Sequence, residues 1–148
     1  MYSIQQICDI VQGKFIIHAS DQAIDQLIYD SRRIQQPLSS LFFALKTGHN
    51  DGHKYLKDAH RKGVRNFIIS DESQSGDFRE SNVILVPDTL EALQQLAAAH
   101  RRGFSYPVIG ITGSNGKTIV KEWLYQLLEE DRHIIPARRA SIPRSVFP

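Results

Sequence analysis

The stretch Pro107–Leu128, PVIGITGSNGKTIVKEWLYQLL, combines three kinds of local sequence in a fixed order. A short apolar run comes first, a glycine-rich loop follows, and the stretch ends in a segment with apolar residues at helical spacing. The apolar face expected to lie against a sheet consists of Val120, Leu124, Leu127 and Leu128. This order predicts a buried strand, a loop and a helix, the unit with which many proteins hold the phosphates of a nucleotide.

The residue types of the loop suit phosphate binding. Its glycines are Gly110, Gly113 and Gly116. Glycine allows turns that bring several backbone amides onto one anion, Lys117 supplies a positive charge, and the Thr118 hydroxyl can reach a Mg²⁺ ion. The general phosphate-loop pattern has glycine where this chain has Ile111, and the glycine here lies one residue earlier. The loop is therefore a variant, and a glycine-rich turn that binds nothing is the alternative.

The first hundred residues alternate between two sequence patterns. Short apolar runs typical of strands are KFIIH, IDQLIYDSR, SLFFAL, RNFIIS and NVILVP. Helical spacing occurs in IQQICDIVQG, KYLKDAHRKG and DTLEALQQLAAAHRR. The alternation predicts an α/β fold, a sheet with helices packed on it. A boundary is expected at GFSYP, which gives a first domain over 1–104, the strand–loop–helix unit over 107–135, and a tail over 136–148.

Composition excludes several classes of protein. The chain has 148 residues, 41% of them hydrophobic and 23% charged, which is typical of a globular protein. A net charge of +2 does not favour nucleic acid as a partner, and no apolar run is long enough for a membrane span. The first residues lack a basic start and an apolar signal core, and the single cysteine, Cys8, cannot form a disulfide framework. These features are typical of a cytoplasmic protein.

Four segments resemble the Mur ligases, ATP-dependent enzymes that add amino acids to the peptidoglycan precursor. They are GITGSNGKT, YDSRRI, LFFALKTGHNDGHKY and VPDTLEALQQLAAAHR, and the resemblance runs from about residue 2 to residue 135. It is strongest to the branch that joins D-alanyl-D-alanine to UDP-N-acetylmuramoyl-tripeptide, in the form fused ahead of an alanine racemase. The resemblance implies that ATP phosphorylates the tripeptide carboxylate and that the amine of D-alanyl-D-alanine then displaces the phosphate.

The resemblance also implies two sets of binding residues. The ATP phosphates would be held by Gly110, Thr112, Gly113, Ser114, Asn115, Gly116, Lys117 and Thr118, and Thr118 would also contact Mg²⁺. The UDP end of UDP-N-acetylmuramoyl-peptide would be held by Ser31, Arg32, Gly48, His49, Asn50, Asp51, Gly52 and His53. Both UDP-binding segments follow predicted strands, where loops commonly gather binding groups.

Simpler interpretations of the same residues stay open. Arg32 has the character of a solvated charge, and His53 that of a polar residue at the start of the next helix. The spacing of Tyr55, Leu56 and Ala59 predicts that all three face the core. In these interpretations the two loops are connections without a ligand.

The resemblance implies that the other catalytic groups of a complete Mur ligase come after the phosphate loop in the sequence. We therefore expect this chain alone to bind UDP-sugar nucleotide without catalysis. A free-standing UDP-sugar-binding module and a small P-loop nucleotide kinase are the alternatives. The tail over 136–148 departs from the family pattern, and a single lost base that shifts the reading frame is one hypothesis for it.

Overall fold

The computed structural model describes residues 1–48, 50–76, 78 and 80–135. The chain divides into two compact units, Met1–Phe104 and Ser105–Pro148. The strands are β1 (Tyr2–Ser3), β2 (Lys14–Ile17), β3 (Ala23–Ile24), β4 (Gln26–Ile28), β5 (Ser40–Phe43), β6 (Lys46–Thr47), β7 (Asn50–Asp51), β8 (Asn66–Ile69) and β9 (Asn82–Leu85). The α-helices are α1 (Ile4–Ile10), α2 (Leu56–Arg61), α3 (Thr89–Arg102) and α4 (Lys117–Leu128). The tail over 136–148 lies outside the described residues.

A mixed sheet forms the centre of the first unit. Its described strands follow the order β2-β9-β8-β5-β4. Strands β4, β5, β8 and β9 are parallel, whereas β2 pairs with β9 antiparallel at the edge. Two small antiparallel pairs, β1 with β3 and β6 with β7, lie outside this sheet. The α/β fold predicted from the alternating sequence patterns is confirmed.

The central strands are apolar because both faces of the sheet are covered. Successive residues of a strand point to opposite faces, so Phe42 and Phe43 belong to two different cores. Phe43 packs in the cluster that contains α1 and α3 residues, and Phe42 packs in the cluster that contains α2 residues. Such strands show continuous apolar runs and no alternation. This explains why SLFF, NFII and NVIL were recognisable as strands.

Local side-chain signals fix where α1 and α3 begin. Ser3 and Gln6 form a reciprocal capping box at the start of α1. The Asp88 carboxylate accepts hydrogen bonds from the backbone N–H groups of Leu90 and Glu91, at 2.7 and 3.0 Å, and so caps α3. These side chains satisfy amides that the helix itself leaves without partners.

The second unit differs from the sequence prediction in one element. Helix α4 forms as predicted, but residues 107–112 form no strand. An extended segment becomes a strand only when another strand pairs with it, and no described residue pairs with this one. The α4 face expected to lie on a sheet is not buried: Val120 is 42% and Leu127 73% exposed, and Leu124 and Leu128 are half-buried. Within the described residues, no helix is long and apolar enough to cross a membrane.

Candidate functional site

The loops that leave the parallel strands of the first unit meet at one edge of the sheet. In a parallel sheet the carboxyl ends of all strands lie on the same side, and binding groups gather there. The segment containing Ser31 and Arg32 leaves β4, and the loop from Ala44 to Asp51 leaves β5. Ser70 follows β8, and Asp88 follows β9 by a short connection. Both segments predicted to hold UDP therefore lie at this edge.

Arg32 presents its guanidinium to solvent while already holding one carboxylate. Its Nε and Nη2 atoms donate to the two carboxylate oxygens of Asp30 at 2.9 and 2.8 Å, and its side chain is 85% exposed. The hydrogen bonds from Arg32 lower the pKa of the Asp30 carboxyl to about 2. Asp30 therefore stays ionised at neutral pH and orients Arg32, whose remaining N–H groups can contact an anion.

Contacts with helix α2 hold Ser31 in place. The residue is buried, and its side chain hydrogen-bonds the Asp58 carboxylate, which, together with a bond from Lys62, lowers the pKa of that carboxyl. The Lys62 ammonium donates to the Ser31 carbonyl oxygen and to Asp58, each at 3.0 Å. The turn that carries Arg32 is thus held to α2 and its C-cap by two polar contacts, and the contact between Lys62 and Asp58 fixes the two partners relative to each other. Ser31 therefore stabilises the turn.

The loop after β5 has an exposed half and a buried half. Gly48 and Asn50 are exposed, whereas Gly52 and His53 are buried. The Asp51 carboxylate accepts from the His53 backbone N–H at 3.0 Å and lies 2.6 Å from the His53 ring atom Nδ1. Of the predicted UDP-binding residues, His49 lies outside the described residues. The exposed half is the part of this loop that can reach a ligand directly.

The core position predicted for Tyr55 is wrong, and Lys46 was not among the predicted site residues. Leu56 and Ala59 are buried as predicted, but Tyr55 is 43% exposed. It contributes, after the larger effect of Asp30, to holding the pKa of Arg32 above its usual value, so Tyr55 lies near that guanidinium. Helical spacing put Tyr55 on the same core-facing side as Leu56. The segment Gly52–Tyr55 is instead a 3₁₀ turn that precedes α2, so the spacing of the α-helix does not apply to Tyr55.

Lys46 stands at the same edge of the sheet as Arg32. Its backbone N–H donates to the Thr89 hydroxyl oxygen at 3.3 Å, and its side chain is exposed. Its charge helps to lower the pKa values of Asp51 and Asp71, in each case after larger effects of nearby hydrogen bonds. Its position directly after the apolar run SLFFAL is the signal by which the sequence could have identified it.

The glycine loop of the second unit contains two residues with positive φ. Gly113 and Gly116 have φ values of 144° and 78°, in the region that favours glycine. The N-cap residue of α4 is Gly116, which has no side chain that could accept hydrogen bonds from the amides of the first turn. The Lys117 ammonium donates to the backbone carbonyl oxygens of Gly113 and Ser114. These groups fit a bound phosphate, provided that Lys117 turns from the carbonyls to the anion.

Among the described residues, no group of three or more histidine, cysteine, aspartate or glutamate side chains could hold a metal ion. The Thr118 hydroxyl is exposed beside the glycine loop. One hydroxyl alone does not bind Mg²⁺, but it suits an ion whose other ligands are phosphate oxygens and water.

Comparison with known proteins gives one consistent group of relatives. No family model matches the chain. The chain is 36% identical over 127 residues to the UDP-N-acetylmuramoyl-tripeptide–D-alanyl-D-alanine ligase of Bacillus subtilis (strain 168), and the match covers 85% of this chain and 27% of that protein.

Solved structures agree with this result. The chain is similar to MurF from Acinetobacter baumannii, with a TM-score of 0.73 and 30% identity over 88% of this chain and 28% of that one. It is also similar to the MurF ligase from Thermotoga maritima in complex with ADP, with a TM-score of 0.62 and 32% identity over 74% of this chain and 24% of that one. The chain spans about a quarter of the length of these proteins.

Proposed function

Because this chain belongs to the Mur ligase family, we propose that its first unit binds the UDP end of UDP-N-acetylmuramoyl-peptide. We further propose that its glycine loop contributes to the ATP site of a ligase that joins D-alanyl-D-alanine to the tripeptide form of that substrate. The relative from Bacillus subtilis carries this activity in its name. In that reaction Mg²⁺-bound ATP would supply the phosphoryl group that activates the peptide carboxylate.

The observation that carries the proposal is the meeting of the β4 and β5 loops at one edge of the sheet. The two strands are neighbours and parallel, so the Arg32 turn and the exposed half of the β5 loop leave the sheet side by side. A UDP group needs polar atoms for the uracil edge and cations or amides for the diphosphate. Asn50 supplies polar atoms for the uracil edge, and Arg32 and Lys46 supply cations for the diphosphate.

The role of the glycine loop is proposed separately. The amides at the start of α4 and the Lys117 ammonium would hold the phosphates of ATP, and the Thr118 hydroxyl would supply one ligand to Mg²⁺. The complex of the Thermotoga maritima relative with ADP supports adenine nucleotide as the ligand class.

Isothermal titration calorimetry of the full chain with UDP, UDP-N-acetylmuramic acid and ATP tests both proposals. We expect UDP-containing ligands to bind more tightly than ATP, because the UDP-binding edge is made of loops from one formed sheet. If neither UDP ligand gives heat while ATP does, the first unit is not the nucleotide-sugar site. Binding of all three with equal affinity would indicate nonspecific attraction of phosphate to the basic residues.

Replacing Arg32 with alanine is expected to weaken UDP binding by about 10- to 100-fold, the range for losing a charged hydrogen-bond partner. The Arg61→Ala variant is the matched control, because Arg61 is an exposed arginine in the last turn of α2. Calorimetry with UDP measures both variants. An affinity of Arg32→Ala equal to that of Arg61→Ala would remove Arg32 from the site and leave its pairing with Asp30 as its only role.

Replacing Lys117 with alanine is expected to change the free energy of unfolding by no more than about 0.5 kcal/mol, as for other exposed positions. Lys117 is exposed and contacts only backbone carbonyls of its own loop among the described residues. Thermal unfolding without ligand checks this, with Lys121→Ala as a control in the same helix. A clear fall in the melting temperature of the Lys117 variant alone would show that the lysine stabilises the loop.

A further inference from the structure

The His53 side chain joins two loops at the candidate UDP-binding edge. Its ring is only 3% exposed. The Nδ1 atom lies 2.6 Å from an Asp51 carboxylate oxygen, in the loop after β5. The Nε2 atom lies 3.1 Å from the backbone nitrogen of Ser70, the residue that follows β8. Both ring nitrogens are therefore used within the first unit, and neither faces a ligand.

These two contacts determine where the ring carries its proton. An ionised carboxylate only accepts hydrogen bonds, and a backbone N–H only donates them. Asp51 is ionised, because hydrogen bonds from His53 lower the pKa of its carboxyl. A neutral ring with its proton on Nδ1 satisfies both partners. A ring with protons on both nitrogens would direct Nε2–H at the Ser70 N–H and break that contact.

We propose that His53 is a positioning residue: its Nδ1-protonated ring holds the β5 loop to the end of β8, and a second proton releases that link. The inference rests on the proposed function, since the positioned loop is the one that would contact UDP. His53 reaches a ligand only through the exposed half of this loop, so it is not itself a contact residue. UDP affinity should then fall as the ring becomes doubly protonated.

Both negative and positive groups lie around the ring. The Asp51 carboxylate contacts the ring from the β5 loop, and the Asp71 carboxylate interacts with it from the segment after β8. The Lys46 ammonium lies near both carboxylates. The ring itself is buried, and the Ser70 N–H faces its Nε2 atom.

Nuclear magnetic resonance of the full chain, with ¹⁵N-labelled histidine, tests the proton position without any substitution. We expect the His53 ring at neutral pH to show a protonated Nδ1 and an unprotonated Nε2. Acidification through the transition of this ring should lower the protection factor of the Ser70 amide, which is its exchange rate corrected for the intrinsic rate at each pH. A ring protonated on Nε2 at neutral pH, or a Ser70 protection factor that does not respond to the transition, would overturn the proposal.

Variants test the consequence for binding. His53→Phe keeps the ring shape but removes both hydrogen bonds, and we expect UDP affinity to fall by about tenfold. His53→Gln retains an amide that can accept from Ser70, and it should recover part of the affinity without the acid dependence of the wild type. The control is His60→Phe, because His60 lies in α2 and its ring packs against Phe67 and Phe78. It should leave UDP affinity and its pH profile unchanged.

The outcomes separate this inference from the proposed function. If the wild-type chain does not bind UDP, the proposed function fails, while the nuclear magnetic resonance result still decides whether His53 holds the loop. If UDP binds and His53→Phe, folded by circular dichroism, keeps the wild-type affinity and pH profile, the positioning role is wrong.

Discussion

Replacing Gly52 with alanine is expected to lower the free energy of unfolding of the first unit by about 3 kcal/mol and to abolish UDP binding. A Cβ atom at this position would lie 2.6 Å from the Leu45 backbone nitrogen and 2.8 Å from the Ala44 carbonyl carbon. These are backbone atoms at the end of a central strand, so they cannot move without disturbing the sheet. The Gly52 N–H also donates to the Leu45 carbonyl oxygen at 2.8 Å, and that bond would be strained.

Gly48→Ala is the matched control for this substitution. Gly48 lies in the same loop, but a Cβ atom there would have no heavy atom within 4 Å. Urea unfolding followed by far-ultraviolet circular dichroism should show a large loss for Gly52→Ala and a change within about 0.5 kcal/mol for Gly48→Ala. Equal stability of the two variants would contradict the close packing of Gly52.

The sequence pattern predicted the strands and helices of the first unit well, because apolar runs and helix-capping residues are both local signals. Apolar runs such as SLFF and NFII are buried on both faces and have no alternation to misinterpret. Ser3 and Asp88 mark helix starts through bonds to amides two or three residues away. By contrast, the strand order depends on contacts between distant segments, and the sequence pattern alone contains no signal for it.

The candidate UDP-binding edge was predicted only in part, because a motif does not show which side chains point inwards. Arg32 and Asn50 are exposed, as a ligand contact requires. His53 was included as a contact residue on the motif, yet its ring is buried and both its nitrogens have partners in the chain. Whether any of these residues contacts UDP stays a prediction until binding is measured.

In the second unit the helix was predicted correctly and the strand was not. The apolar pattern of α4 correctly predicted a helix, since helical hydrogen bonds form within one segment. The apolar run before the glycine loop forms no strand, since a strand needs a partner that the pattern of a single segment cannot supply.

Stability of the first unit also depends on a buried asparagine pair at the opposite edge of the sheet. Asn66 and Asn82 are the first residues of β8 and β9, and both are essentially inaccessible to solvent. The Asn82 amide nitrogen donates to the Asn66 side-chain oxygen at 2.8 Å and to the Ser20 carbonyl oxygen at 2.9 Å. Its oxygen accepts from the backbone N–H groups of Ala19 and Ser20, at 2.9 and 3.3 Å. The Asn82 side chain thus joins the segment that follows β2 to the sheet by hydrogen bonds.

Asn82→Ala is therefore expected to lower the free energy of unfolding by about 3 kcal/mol, because it leaves several buried polar groups without partners. Asn50→Ala is the control, since Asn50 is exposed and its substitution should cost no more than about 0.5 kcal/mol. Urea unfolding followed by circular dichroism measures both variants, and a loss below about 1 kcal/mol for Asn82→Ala would contradict the network. Under conditions where Asn82→Ala stays folded, its UDP affinity should equal that of the wild type, because the pair lies at the amino ends of the strands. Gly52→Ala and Asn82→Ala would then have similar losses of stability, but only Gly52→Ala would lose UDP binding, which separates the ligand edge from the rest of the fold.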